Sequence, residues 1–88
     1  MSERYDKLRT ILKDYNYPLV YPFKFIIEAD QDKLVKIKRV FEETAEIQVR
    51  ESKNGKYSSI TIKQMMLNTE DIISCYLEME KIEGVISL

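Results

Sequence analysis

Two aspartates spaced two residues apart, Asp30 and Asp32, are the first place to look for chemistry, because paired carboxylate oxygens suit a hard cation such as magnesium. They also stand at the head of an apolar-periodic run, where an aspartate takes up free backbone N–H groups, so a helix cap accounts for them without a metal. Glu78 and Glu80 share that spacing but project in different directions from a helix, as solvated charges do. Cys75 is the only thiol. To act as a nucleophile it needs a nearby cation to stabilise its thiolate, and its own helix turn supplies none. It falls between Ile72 and Met79 on an apolar stripe, the position of a small core residue. Histidine is absent, which removes the commonest general base, the Ser-His and Cys-His pairs and histidine zinc sites together. No catalytic residue and no metal ligand set emerges, so neither an enzyme nor a cofactor is expected.

Two regions suit binding better than reaction. In Ser52-Lys53-Asn54-Gly55-Lys56-Tyr57, two lysines, turn amides and a tyrosine could hold a small anion, although a hairpin tip uses glycine and serine for geometry alone. The second region is a sheet face carrying Lys24, Ile26, Glu28, Gln48, Arg50, Ser59, Thr61 and Lys63. Its cations could touch phosphate, with Glu28 among them. RNA-recognition sheets stack bases on rings of the central strands, and no ring occupies the inner positions here. Binding is therefore assigned to Lys24, Arg50, Lys56, Tyr57 and Lys63, and nucleic acid is not the expected partner.

The elements that must position these residues centre on Glu46 to Leu67. Asn54-Gly55 is a strong hairpin signal, since a tight primed turn needs positive φ, which these residue types tolerate. Ile47 and Val49 before the turn, and Ile60 and Ile62 after it, alternate with the period of a strand buried on one face. Tyr21 to Ala29 is the first strand, with Phe23, Phe25 and Ile27 on its inner face and Pro22 at its beginning, because proline donates nothing to a ladder. A helix capped by Asp30 or Asp32 runs to about Glu43, with Leu34, Ile37, Val40 and Phe41 inward. A further helix, capped by Asn68 or Thr69 and stopped by Gly84, buries Ile72, Cys75, Tyr76 and Met79, with Ile73 flanking. Val85 to Leu88 closes the sheet as a last strand. Ahead of all these, Ser2 caps an amphipathic helix whose Tyr5, Leu8, Ile11, Leu12 and Tyr15 face away from Arg4, Lys7, Arg9 and Lys13. Asn16 and Pro18 end it. Its stripe is to be buried on its own domain, on a second copy or on another protein.

That order predicts an α+β, ferredoxin-like βαββαβ sandwich at residues 18–88, with an extra N-terminal helix at residues 1–17. Right-handed crossovers give an antiparallel sheet of order 4-1-3-2, with both main helices on one face. Glu46, Gln48, Arg50 and Glu51 place charge and polarity on an edge strand and blunt it against uncontrolled pairing. Eighty-eight residues make one domain, and an apolar share of 44% is enough for a core without disulfides. The formal net charge of −1 provides no domain-wide field for nucleic acid or anionic membrane. A lone cysteine, no signal-peptide core and no apolar run of membrane-spanning length point to a soluble, cytoplasmic protein.

The proline and aromatics leading into YPFKFII, the segment SKNGKYSSITI, and the spacing through Tyr76 to Lys81-Ile82, Val85 and the terminal leucine resemble the YbeD-like family of small bacterial proteins, over roughly Pro22 to Leu88. The resemblance implies a ferredoxin-like fold akin to the ACT regulatory domains of amino-acid metabolism. It carries a suggested link to lipoate metabolism and no defined catalytic residue. Gln64 departs from the pattern, a polar residue at a core position, to be accommodated by a bulge or a hydrogen-bonded amide. The expectation is a non-enzymatic regulatory or protein-interaction module with a protein partner or self-association. The alternative is a small-ligand-sensing ACT-like domain, and RNA binding through the open face stands behind both.

Overall fold

The computed structural model describes residues 5–88, and the elements follow as α1 (Asp6–Leu12), β1 (Leu19–Glu28), α2 (Gln31–Val40), β2 (Glu46–Glu51), β3 (Tyr57–Met66), α3 (Thr69–Glu80) and β4 (Ile86–Ser87). The four strands form one antiparallel sheet in the order β2-β3-β1-β4, the ferredoxin-like topology the sequence predicts. Alternation along β1 and β3 sends Phe23, Phe25 and Ile27, and Ile60, Ile62 and Met66, to one face, where all are buried. Ile37 of α2 and Ile72, Ile73, Tyr76 and Met79 of α3 join the same cluster, so both helices cover that face. Phe23 lies at the centre, with ring centroids of Tyr21, Phe41 and Tyr76 at 4.7, 5.1 and 5.4 Å. Burying such a side chain is worth about 1.5–3 kcal/mol.

Pro22 lies within β1, opposite Lys63, and not at its beginning. The Leu88 N–H donates to the Lys24 carbonyl, so alternate residues of β1 turn their backbone toward β4. Pro22 shares that phase, and β4 pairs only with Phe25 and Ile26. The donor that proline lacks would have had no partner there. Gln64 sits in an unbroken ladder opposite Tyr21, so there is no bulge. It is a hydrogen-bonded amide: its Oε1 accepts from the Glu42 N–H at 2.8 Å, and its Nε2 donates to Met66 Sδ at 3.4 Å.

Caps follow side-chain chemistry. The Asp30 carboxylate accepts from the N–H groups of Asp32 and Lys33 at the start of α2, and the Asn68 side chain accepts from the Asp71 N–H at the start of α3. The α2 helix ends at Val40, short of Glu43, because Phe41 turns extended and drops its ring into the core. The α3 helix ends at Glu80 through a tightened last turn, Ile82 N–H to Met79 C=O, and Gly84 takes its positive φ of 83° only beyond that. Ile73 is buried and Cys75 only half-buried, the reverse of the simple stripe, because α3 packs against α1 as well as the sheet. The last strand is just Ile86–Ser87.

The N-terminal helix docks on its own domain. Leu12 is buried in the core, Leu8 packs against it, and the Tyr5 ring stacks on Tyr76 at 5.8 Å. Arg9 links Asp6 to Glu70 on α3, with its Nε 2.7 Å from the Glu70 carboxylate. The Tyr17 hydroxyl donates to the Leu12 carbonyl at 3.0 Å and meets Thr69 Oγ1 at 2.9 Å. Ile11 and Tyr15, expected on the buried stripe, are exposed: Tyr15 lies past the end of the helix at Leu12, and Ile11 lies beside the Leu8–Leu12 line that meets the core. The roles expected of Ser2 and Arg4 lie outside the described residues.

Candidate functional site

The sheet face away from the helices holds an open depression of about 550 Å³. Strand register builds it. Lys24 on β1 faces Thr61 on β3, and Thr61 faces Gln48 on β2. One row along, Ser59 faces Arg50, and one row the other way Lys63 faces Pro22. Since each of these residues points to the uncovered face, three strands bring three cations and three neutral polar groups to one site. No acidic side chain lines it. Glu46, the register partner of Lys63, stands at its outer edge, and Glu28 stands opposite Tyr57, two rows from Lys24. The sequence had placed Glu28 among the cations; the register separates it from them. None of Lys24, Arg50 and Lys63 is in an ion pair among the described residues. Exposed Val20 and Met65, opposite each other, flank one end of this face, and Ile86 and Tyr57 flank the other.

Three of the five residues picked out from the sequence thus converge, and two do not. Lys56 and Tyr57 belong to the hairpin tip, where the N–H groups of Gly55, Lys56 and Tyr57 are taken up within the turn. The Asn54 side-chain oxygen accepts from the Ser52 hydroxyl at 2.9 Å and the Lys56 N–H at 3.1 Å. The Gly55 N–H donates to the Ser52 carbonyl and the Tyr57 N–H to Ser52 Oγ. An anion cradle needs such amides free. Within this turn only Gly55 takes positive φ, 73°, so the turn is not the primed type that Asn-Gly suggests. The Asn54 carboxamide holds the longer loop instead. Tyr57 is exposed at the start of β3 and borders a separate trough of about 300 Å³ with Ile26, Gly84 and Ile86. Sequence reasoning left it at the turn; counting register outward from the hairpin would have put its ring on the open face.

The family model described as "Protein of unknown function (DUF493)" matches residues 13–88. The chain belongs to the DUF493 family. This is the YbeD-like family to which its motifs point, and α1 stands wholly ahead of the matched DUF493 segment. No curated protein and no solved structure matches the chain.

Elsewhere in this DUF493 domain the reactive groups are quiet. Burial, aided by the carboxylates of Asp71, Glu42 and Glu78, pushes the Cys75 thiol up to about 11. It stays protonated at neutral pH. Burial and the hydrogen bond to Tyr21 likewise raise the Tyr76 phenol. Among the described residues no group of three or more His, Cys, Asp or Glu could hold a metal ion, and no helix is long and apolar enough to cross a membrane.

Proposed function

We propose that this chain is a non-enzymatic interaction module that docks an acidic segment of a partner protein on the open face of its sheet. One observation carries the proposal: Lys24, Arg50 and Lys63 converge from three strands on one depression without a carboxylate side chain in its lining. Lysine and arginine present only donors, so an acceptor-rich chain is their complement. The depression crosses three strands, and its lining carries cations and neutral polar groups. Small-molecule sites are mostly apolar with few polar groups, so this cation-lined surface suits an extended acidic segment better. RNA fits less well, because among the described residues Tyr57 is the one ring on the strands of this face and stands opposite Glu28 at its end.

The test is a titration of the isotope-labelled protein, followed through its backbone amide resonances, with a polyglutamate peptide and in parallel with a single-stranded polyuridine RNA. The peptide is expected to move the resonances of Lys24, Ser59, Thr61 and Lys63 in a salt-sensitive way. The triple change Lys24→Glu, Arg50→Glu and Lys63→Glu is expected to abolish the movement while the fold persists. A peptide that leaves the face untouched, or moves it equally in the triple variant, overturns the proposal. RNA acting where the peptide does not would replace it with nucleic-acid binding.

A further inference from the structure

β2 forms one side of the sheet, and half of its backbone is unused. Its ladder to β3 runs from Glu46 opposite Lys63 to Glu51 opposite Ser58, and the Ser52 N–H donating to the Tyr57 carbonyl fixes the phase. In an antiparallel ladder alternate residues turn both backbone groups toward the same neighbour. Glu46, Gln48 and Arg50 therefore face β3, while Ile47, Val49 and Glu51 present N–H and C=O groups outward. Among the described residues no strand lies beyond them.

The side chains on this edge are symmetric about Gln48. Glu46 and Arg50 stand two residues either side of it on the open face, both exposed. Ile47 and Val49 stand one residue either side on the helix-covered face, and at 39% exposure Val49 is incompletely covered. A second copy run antiparallel, with Gln48 opposite Gln48, sets Glu46 against Arg50 twice and Ile47 against Val49 twice. The outward backbone groups of Ile47 and Val49 then fall opposite one another, as a pair that exchanges two hydrogen bonds requires. Centring the pair on Glu46 or on Arg50 sets like charges face to face. Centring it on Ile47 or Val49 leaves both charges opposite neutral residues. Of these registers, the one about Gln48 alone matches both charges directly.

We infer that β2 pairs with β2 of a second copy about Gln48, joining two four-stranded sheets into one. The charges that discourage indiscriminate pairing at this edge select that register. Both open faces remain on the same side of the joined sheet. Arg50 turns to Glu46 of the second copy, while Lys24 and Lys63 stay in the depression, so the inference does not depend on anion docking.

Molar mass by light scattering and sedimentation, across concentrations up to about 1 mM, reads the association directly. The chain is expected to move from one to two copies with concentration. Glu46→Arg and Arg50→Glu, each placing like charges opposite, should weaken self-association by on the order of tenfold or more. An equimolar mixture of the two variants should associate again, because each supplies the charge the other lacks. A monomer throughout the range overturns the inference, as does a dimer indifferent to both substitutions or a mixture that stays monomeric. Hydrogen exchange of the unmodified chain gives a second reading that needs no variant. The Ile47 and Val49 N–H groups should gain protection as concentration rises, and unchanged exchange there overturns the pairing equally.

Discussion

Replacing Gln64 with leucine tests how the buried amide is tolerated. Gln64 is 8% exposed, and its Oε1 is the partner of the Glu42 N–H at 2.8 Å, where the chain leaves α2 for β2. Leucine keeps most of the volume but removes the acceptor. Leaving a part-buried donor unpaired costs up to about 1–3 kcal/mol, and the added apolar contact returns at most about 1 kcal/mol. A net loss of about 1–2 kcal/mol is expected, which in a domain of this size lowers Tm by roughly 5–15 °C. Urea unfolding followed by circular dichroism should show a lower midpoint at unchanged m value. Gln64→Glu sharpens the test. It keeps the acceptor but brings a carboxyl into a niche walled by Glu42 and Asp71. Those neighbours and burial raise the new group's pKa above its unfolded value. Its stability relative to the parent should then be highest below about pH 4 and fall as pH rises through the raised value. A Gln64→Leu variant as stable as the parent would refute the reasoning, because the Glu42 N–H would then not depend on this amide.

With its thiol held at about 11, Cys75 should react with iodoacetamide at pH 8 on the order of a hundredfold more slowly than a free cysteine, and at the free rate once unfolded in urea. Since the folded value lies above the unfolded one, the thiol's contribution to stability is full below about pH 8.5 and drains away as pH rises toward 11; Cys75→Ala should flatten that part of the pH–stability curve. Gly84→Ala should cost about 1–2 kcal/mol in urea unfolding, because φ of 83° disfavours any Cβ. Its Cβ would also come 2.5 Å from Lys33 Nζ, but that flexible end can move, so a Lys33→Ala background should recover little.

Most of the architecture was legible in the sequence because strand alternation and helix caps are local signals. Phe23, Phe25, Ile60 and Ile62 announce a sheet with one buried face, and Asp30 and Asn68 announce where the helices start. The misplacements came where distant parts of the chain decide. Pro22 is tolerated inside β1 because β4 pairs with Phe25 and Ile26 and not with it, which β1 alone does not reveal. Cys75 and Ile73 exchanged burial because α1 packs on α3, which a single-helix stripe cannot foresee. Lys24, Arg50 and Lys63 could each be assigned to the open face, but their convergence, and the distance of Glu28 from it, depends on strand register. Gln64 was recognisable as an anomaly; its partner, Glu42, lies 22 residues away.

Leu12, 1% exposed, lies one residue ahead of the segment that defines the family. A chain trimmed to begin at residue 13 would lose this plug together with the lid formed by Tyr5 and Leu8. The bare flank of α3 around Tyr76 would then be sticky, and clumping of such a shortened chain would reflect a missing cover and not any native habit of assembly.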